Sequence, residues 1–339
     1  MATAMGAQTA NGSWGRSYLA QFPFSIGGKE FLYGQCQSDQ YWFIQELLPG
    51  GKMGSVTDSG TWDYSYAVQF PFTINNRVFF CGHKLSTNYW FIQELLTGGR
   101  MGAQTDSGHW NNAYHVLYSF SIGNQHYFFG HNLDTKYWFI QELLPGGEMG
   151  SETDQGHWAT RYAVQFPFNI GGTQYIYGQD VGNPYAGGRS SPGGIFSGIE
   201  AVGKTIGDVL EKTTWDPLQT AANLSKPAHP SQPTRRWFIQ KVLPGGKLGD
   251  ETDSGHWNGT YHVQFPYAID GKQYFYGQDL GTKKWIIKCL NDGGKMGSEP
   301  QNGIWNDARQ VQVPFSVGGK QYFYGQDMSS RGWFIQHLK

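Results

Sequence analysis

The chain has 339 residues, 16% of them aromatic and 48 of them glycine, and its 25 basic and 26 acidic residues leave a formal charge of −1. No basic stripe marks a nucleic-acid binder, and no apolar run approaches the length of a membrane span. Abundant aromatics beside abundant glycine suit many short strands joined by tight turns.

The opening residues, Met1 to Ala7, carry neither a basic n-region nor an apolar h-region. The sequence therefore reads as one without a secretory signal, expected in the cytoplasm. Cys36, Cys81 and Cys289 are odd in number and scattered. They read as free thiols, with neither a disulfide frame nor a zinc site, and no metal or cofactor is expected.

The stretch Tyr41-Trp42-Phe43-Ile44-Gln45-Glu46-Leu47-Leu48 returns at Tyr89 to Leu96 and at Tyr137 to Leu144. Weaker copies begin at Arg236, Lys284 and Gly332. Their tryptophans, at 42, 90, 138, 237, 285 and 333, are spaced by 48, 48, 99, 48 and 48 residues. One insertion of 51 residues explains the long gap, and what remains is six units of 48. Units this small cannot bury their own apolar faces, so the six should close into one domain.

Within a unit the order is legible from the second copy. Ala67 to Ile74 reads as a first strand, and Asn75-Asn76 as a two-residue hairpin turn of the kind that needs positive φ. A second strand follows from Arg77 to His83, a third from Tyr89 to Leu96, and a fourth from about Arg100. Thr105-Asp106-Ser107-Gly108 reads as the turn that closes the unit. Four antiparallel strands per repeat predict an all-β, six-bladed β-propeller. Pro23, Pro71, Pro167, Pro266 and Pro314 fall in the first strand, which must then be an edge strand and is expected to line the central channel. Each strand-three tryptophan is followed 20 residues later by another, at 62, 110, 158, 257 and 305. The partner of Trp333 would be Trp14, if Lys339 were joined to Met1. The N-terminus is thus expected to supply the fourth strand of the last blade.

The insertion occupies 181–235 in the fourth blade and divides the propeller into 1–180 and 236–339. Its flanks are rich in proline and glycine. Its middle, about 194–212, places Ile195, Ile199, Val202, Ile206 and Val209 at the spacing of one amphipathic helix. Such an arm could dock a protein partner or a second copy of the chain.

The candidate ligand residues lie in the Thr-Asp-Ser-Gly-x-Trp segments. These are Asp58 and Trp62; Asp106, His109 and Trp110; Asp154, His157 and Trp158; and Asp253, His256 and Trp257. A carboxylate, an imidazole and an indole together suit a sugar, whose apolar face packs on a ring while its hydroxyls are hydrogen-bonded. The plainer reading makes the aspartates corner residues that bond their own backbone. Ala10 and Gln301 replace the aspartate in two copies, which limits equivalent sites to four. The segment resembles the Asp-box of sialidase-type propellers, Ser-x-Asp-x-Gly-x-Thr-Trp, one residue short between Gly and Trp. In repeat length and closure the chain resembles the β-propeller lectins of fungi and bacteria. That resemblance implies repeated carbohydrate sites and avidity from their number.

A soluble, multivalent glycan-binding protein is the first functional expectation. The alternative is an enzyme, a cyclase, isomerase or hydrolase of a small apolar molecule, with one site at the channel mouth beneath the insertion. His83, His131, Asp180 and Glu200 would then be its acid–base groups.

Overall fold

The computed structural model describes residues 5–36, 38–180, 235–327 and 329–339, without the side chain of Leu19. It is a six-bladed β-propeller. Six antiparallel sheets each run from an inner to an outer strand, in chain order except in the last, whose outer strand is the N-terminal one. Blade one comprises Tyr18–Ile26, Lys29–Cys36, Tyr41–Leu48 and Lys52–Thr61. The inner strands of all six neighbouring blades touch around the axis, which confirms the proline-bearing strand as the innermost. There it costs no ladder bond, because an edge strand has one row of N–H groups facing away from its partner.

The hairpins follow the turn residues. Asn75 and Asn76 have φ of 50° and 64°, the left-handed conformation that a two-residue turn demands. The strand-three tryptophan meets the second tryptophan of its own blade in every case, at 5.5 to 5.9 Å between ring centroids. The outer strand passes directly over the first indole at a glycine. A Cβ on Gly108 would stand 2.9 Å from the ring of Trp90, so no larger residue fits without displacing it.

The last sheet is closed as the sequence predicts. Met5–Ser13 pairs with Gly332–Leu338, with Gly12 opposite Trp333, and Trp14 donates its backbone N–H to Arg331. The closing strand is also tied across the junctions on either side. Met5 N–H donates to Gln301 Oε1 at 2.6 Å, and Thr9 Oγ1 to the Gly51 carbonyl at 2.8 Å.

One expectation is corrected. The Thr-Asp-Ser-Gly segments are not turns; they form the second half of outer strands that run on to His109, His157 and His256. A bulge opposite Gln93, Gln141 and Gln240 lets the outer strand continue past the point where a turn was expected. The insertion's proposed helix, at 194–212, lies outside the described residues, as does the arm it was expected to form. Among the described residues there is no helix.

Blade four survives the insertion because its second and third strands still meet at the root. Asp180 N–H donates to the Arg236 carbonyl at 2.9 Å. The same bond closes the short loops of three other blades, at Asn132, Asp279 and Asp327. Replacing 181–234 by Leu-Gly-Thr, the residues found between Asp279 and Lys283, should therefore leave the ring intact. The expected result is a thermal midpoint within about 3 °C of the full chain, since surface insertions cost little loop-closure entropy. Circular dichroism melts of the two chains check this.

Candidate functional site

The aspartates of the outer strands are ties between blades. Asp58 accepts the N–H of Ser59 on one oxygen at 2.9 Å and that of Met101, in the next blade, on the other at 2.8 Å. Asp106 does the same with Ser107 and Met149, Asp154 with Gln155 and Leu248, and Asp253 with Ser254 and Met296. The threonine before each aspartate bonds a glycine carbonyl of the next blade, as Thr105 Oγ1 does to Gly147 at 2.6 Å. A hydrogen bond to a charged acceptor contributes about 1.5–3 kcal/mol. Gln301 replaces the aspartate where blade five meets the closing strand, and its amide oxygen takes over the same role.

The other expected ligand residues divide. His109 and His157 are exposed and lie beside Tyr89 and Tyr137, at 5.3 Å. His256 is exposed and pairs in register with Arg236. Trp62 and Trp257 commit their indole N–H groups to the hydroxyls of Tyr33 and Tyr177. In blades two and three that tyrosine is Cys81 or Phe129, and Trp110 and Trp158 instead meet His83 and His131 edge-on, at 4.9 and 4.8 Å.

His83 and His131 are fully buried members of a polar ring between blades, in which Gln69 and Gln165 are half-buried. The glutamine of each inner strand donates its amide to the strand-two residue of the preceding blade. Gln69 bonds Gln35, Gln264 bonds Gln179, Gln312 bonds Gln278 and Gln21 bonds Gln326. Gln165 approaches His131 Nδ1 at 2.7 Å. Leu117 breaks the series, and there His83 Nδ1 donates to the Tyr114 carbonyl at 3.1 Å. Asp180 is also buried, at the root of the insertion. Glu200 lies outside the described residues.

Desolvation dominates both imidazoles, pushing His83 down to about 4 and His131 down to about 3, against a small opposing pull from their backbone partners.

An open cleft lies at an inter-blade junction. It lies between blades four and five and has a volume of about 370 Å³. Trp237, Asp253, His256 and Trp257 line it from blade four, with Lys288 and Met296 from blade five. It thus gathers three of the expected ligand residues with a cation that the repeat pattern did not single out. Lys288 Nζ stands 5.5 Å from the centroid of the Trp257 ring and 3.5 Å from Glu299 Oε2. Because the Trp257 N–H is spent on Tyr177, this residue offers a ligand only ring surface. Among the described residues no group of three or more histidine, cysteine or carboxylate side chains could hold a metal.

No family model matches the chain, and no curated protein matches it in sequence. Solved structures do match in fold. A chain of the BBS1N–ARL6DN complex superposes with a TM-score of 0.53 at 7% identity, covering 98% of this chain and 97% of that one. A putative 6-phosphogluconolactonase from Bacteroides fragilis gives 0.51 at 10% identity, over 91% and 80% of the two chains. An exo-β-1,3-galactanase from Phanerochaete chrysosporium, solved with β-1,3-galactotriose, gives 0.50 at 9% identity, over 98% and 70%. At such identities the likeness extends to the fold alone.

The buried histidines carry a testable consequence. An unfolded chain protonates them near 6.5, whereas the folded chain resists until about 4 and about 3. Below pH 6.5 the unfolded state therefore binds more protons, and stability falls as the pH drops. Changing both to glutamine, the residue at this position in the other four blades, should remove about 2 kcal/mol of loss per histidine between pH 7 and pH 5. Urea unfolding of the two proteins across that range measures the difference. His115 and His262, also depressed by burial, are common to both and cancel.

Proposed function

We propose that this protein binds carbohydrate in the clefts between its blades, and that the junctions bearing Asp58, Asp106, Asp154 and Asp253 make it multivalent. The observation that supports this most is the cleft between blades four and five. It combines half-buried indole surface with a carboxylate and an ammonium group, the complement of a sugar ring with one apolar face and a rim of hydroxyls. Its volume lies in the lower part of the range for small-molecule sites, about 300–1,000 Å³. Propellers of similar fold include both a galactanase and a putative lactonase, so the fold does not choose between binding and catalysis. The side chains favour binding. Catalysis at the channel mouth needs an accessible acid–base group, and His83 and His131 are fully buried.

A glycan array, followed by tryptophan-fluorescence titration of the sugars retained, tests the reading. Retention of a defined set of glycans with saturable fluorescence change is the expected result. An array without retained glycans contradicts it.

A further inference from the structure

The six junctions share one plan, and one of them departs from it twice on the same face. Strand three presents a phenylalanine and then, two residues on, a glutamine to the preceding blade in five cases. The glutamines are Gln45, Gln93, Gln141, Gln240 and Gln336, and each bonds a glycine carbonyl of its own outer strand. The phenylalanines pack against the preceding blade's second tryptophan, as Phe91 does on Trp62 at 5.5 Å and Phe238 on Trp158 at 5.4 Å. In blade five the pair is Ile286 and Lys288.

Lys288 lines the cleft, and Ile286 is buried in the core cluster against which Trp257 packs. Isoleucine is shorter than phenylalanine, so Trp257 meets no ring from strand three of blade five and stacks on Phe275 alone among the phenylalanines, at 5.7 Å and 11°. Lys288 pairs its ammonium with Glu299, and the outer strand is interrupted here. It pairs at Lys295–Met296 and again at Gln301–Ile304, with Pro300 standing where the other copies have the tie-forming threonine. The outcome is a junction with a cation in it, bounded by the residues of the proposed sugar site.

We infer that the blade four–five cleft is the principal site of the protein, and that its ligand is an uncharged pyranose with two adjacent hydroxyls. The inference rests on the carbohydrate reading above and narrows it to one junction and one chemical class. Lys288 donates to one hydroxyl while a carboxylate, Asp253 or the Lys288 partner Glu299, accepts from its neighbour. The ring's apolar face covers Trp257. The charge arrangement does not favour acidic sugars. The Lys288 ammonium is already paired with Glu299, so it offers a uronate or sulfate no unpaired cation. The remaining junctions keep phenylalanine and glutamine at these two positions.

The experiment is calorimetric titration of the intact chain with glucose, galactose, mannose and N-acetylglucosamine, beside glucuronate and galacturonate. One strong site per chain for a neutral sugar is expected. Lys288→Gln and Ile286→Phe, which restore the residues of the other blades, should each weaken it about tenfold or more. Unchanged affinity in both variants, or preference for a uronate, overturns the inference while leaving carbohydrate binding in place. If none of the sugars binds the wild-type chain, the carbohydrate reading falls together with it.

Discussion

A ring of sheets keeps an open edge unless its last sheet is completed, and in this protein the other end of the chain completes it. Here that constraint is met by nine residues, Met5–Ser13, added as the outer strand to Gly332–Leu338. The addition covers an edge that would otherwise present unpaired N–H and C=O groups to any passing strand. It also places Trp14 against Trp333 and gives its indole N–H the hydroxyl of Tyr324 as partner, at 2.7 Å. The closing strand then receives the tie from Gln301 on one side and sends the tie from Thr9 on the other. Every junction in the ring inherits its spacing from that closure, including the one that carries the proposed site.

The junctions do two kinds of work with one set of residues. In blades one to four the aspartate and threonine of the outer strand bond the backbone of the next blade, which explains their recurrence without any ligand. The inner polar ring is a second, buried tie, and its departures come in sets. Where Tyr-Gly-Gln becomes Cys81-Gly82-His83 or Phe129-Gly130-His131, the tryptophan exchanges a hydroxyl partner for an imidazole edge. Both histidines stay fully buried, each with its Nε2 lacking a hydrogen-bond partner among the described residues. In blade five the departure puts Lys288 in a cleft beside Trp257.

Much of the architecture was legible because a strict repeat converts every local observation into six. The spacing of the tryptophans alone located the closing strand and its register, and the proline located the innermost one. The role of the aspartates was not legible, for a physical reason. Their cross-blade partners are backbone N–H groups 43 residues away, as in Asp58 to Met101, and a backbone donor leaves no trace in residue type. The extension of the outer strand through Thr-Asp-Ser-Gly was hidden by a bulge, which turn-forming residues imitate. The cleft was half legible. Ile286 and Lys288 stand out as breaks in the Trp-Phe-Ile-Gln pattern, but nothing in the sequence says which neighbour that face meets. Asp253, His256 and Trp257 were expected to bind, and they line the cleft that Lys288 completes.

The claim on which the account turns is that the N-terminal strand holds the ring closed. Removing residues 1–14 and following thermal unfolding beside size-exclusion chromatography tests it most directly, with a synthetic peptide of residues 1–15 supplied afterwards. The account predicts a lower, broadened transition and association through the bared strand Gly332–Leu338, both reversed by the peptide. A truncated chain that melts as one cooperative monomer at the full-length midpoint would contradict it.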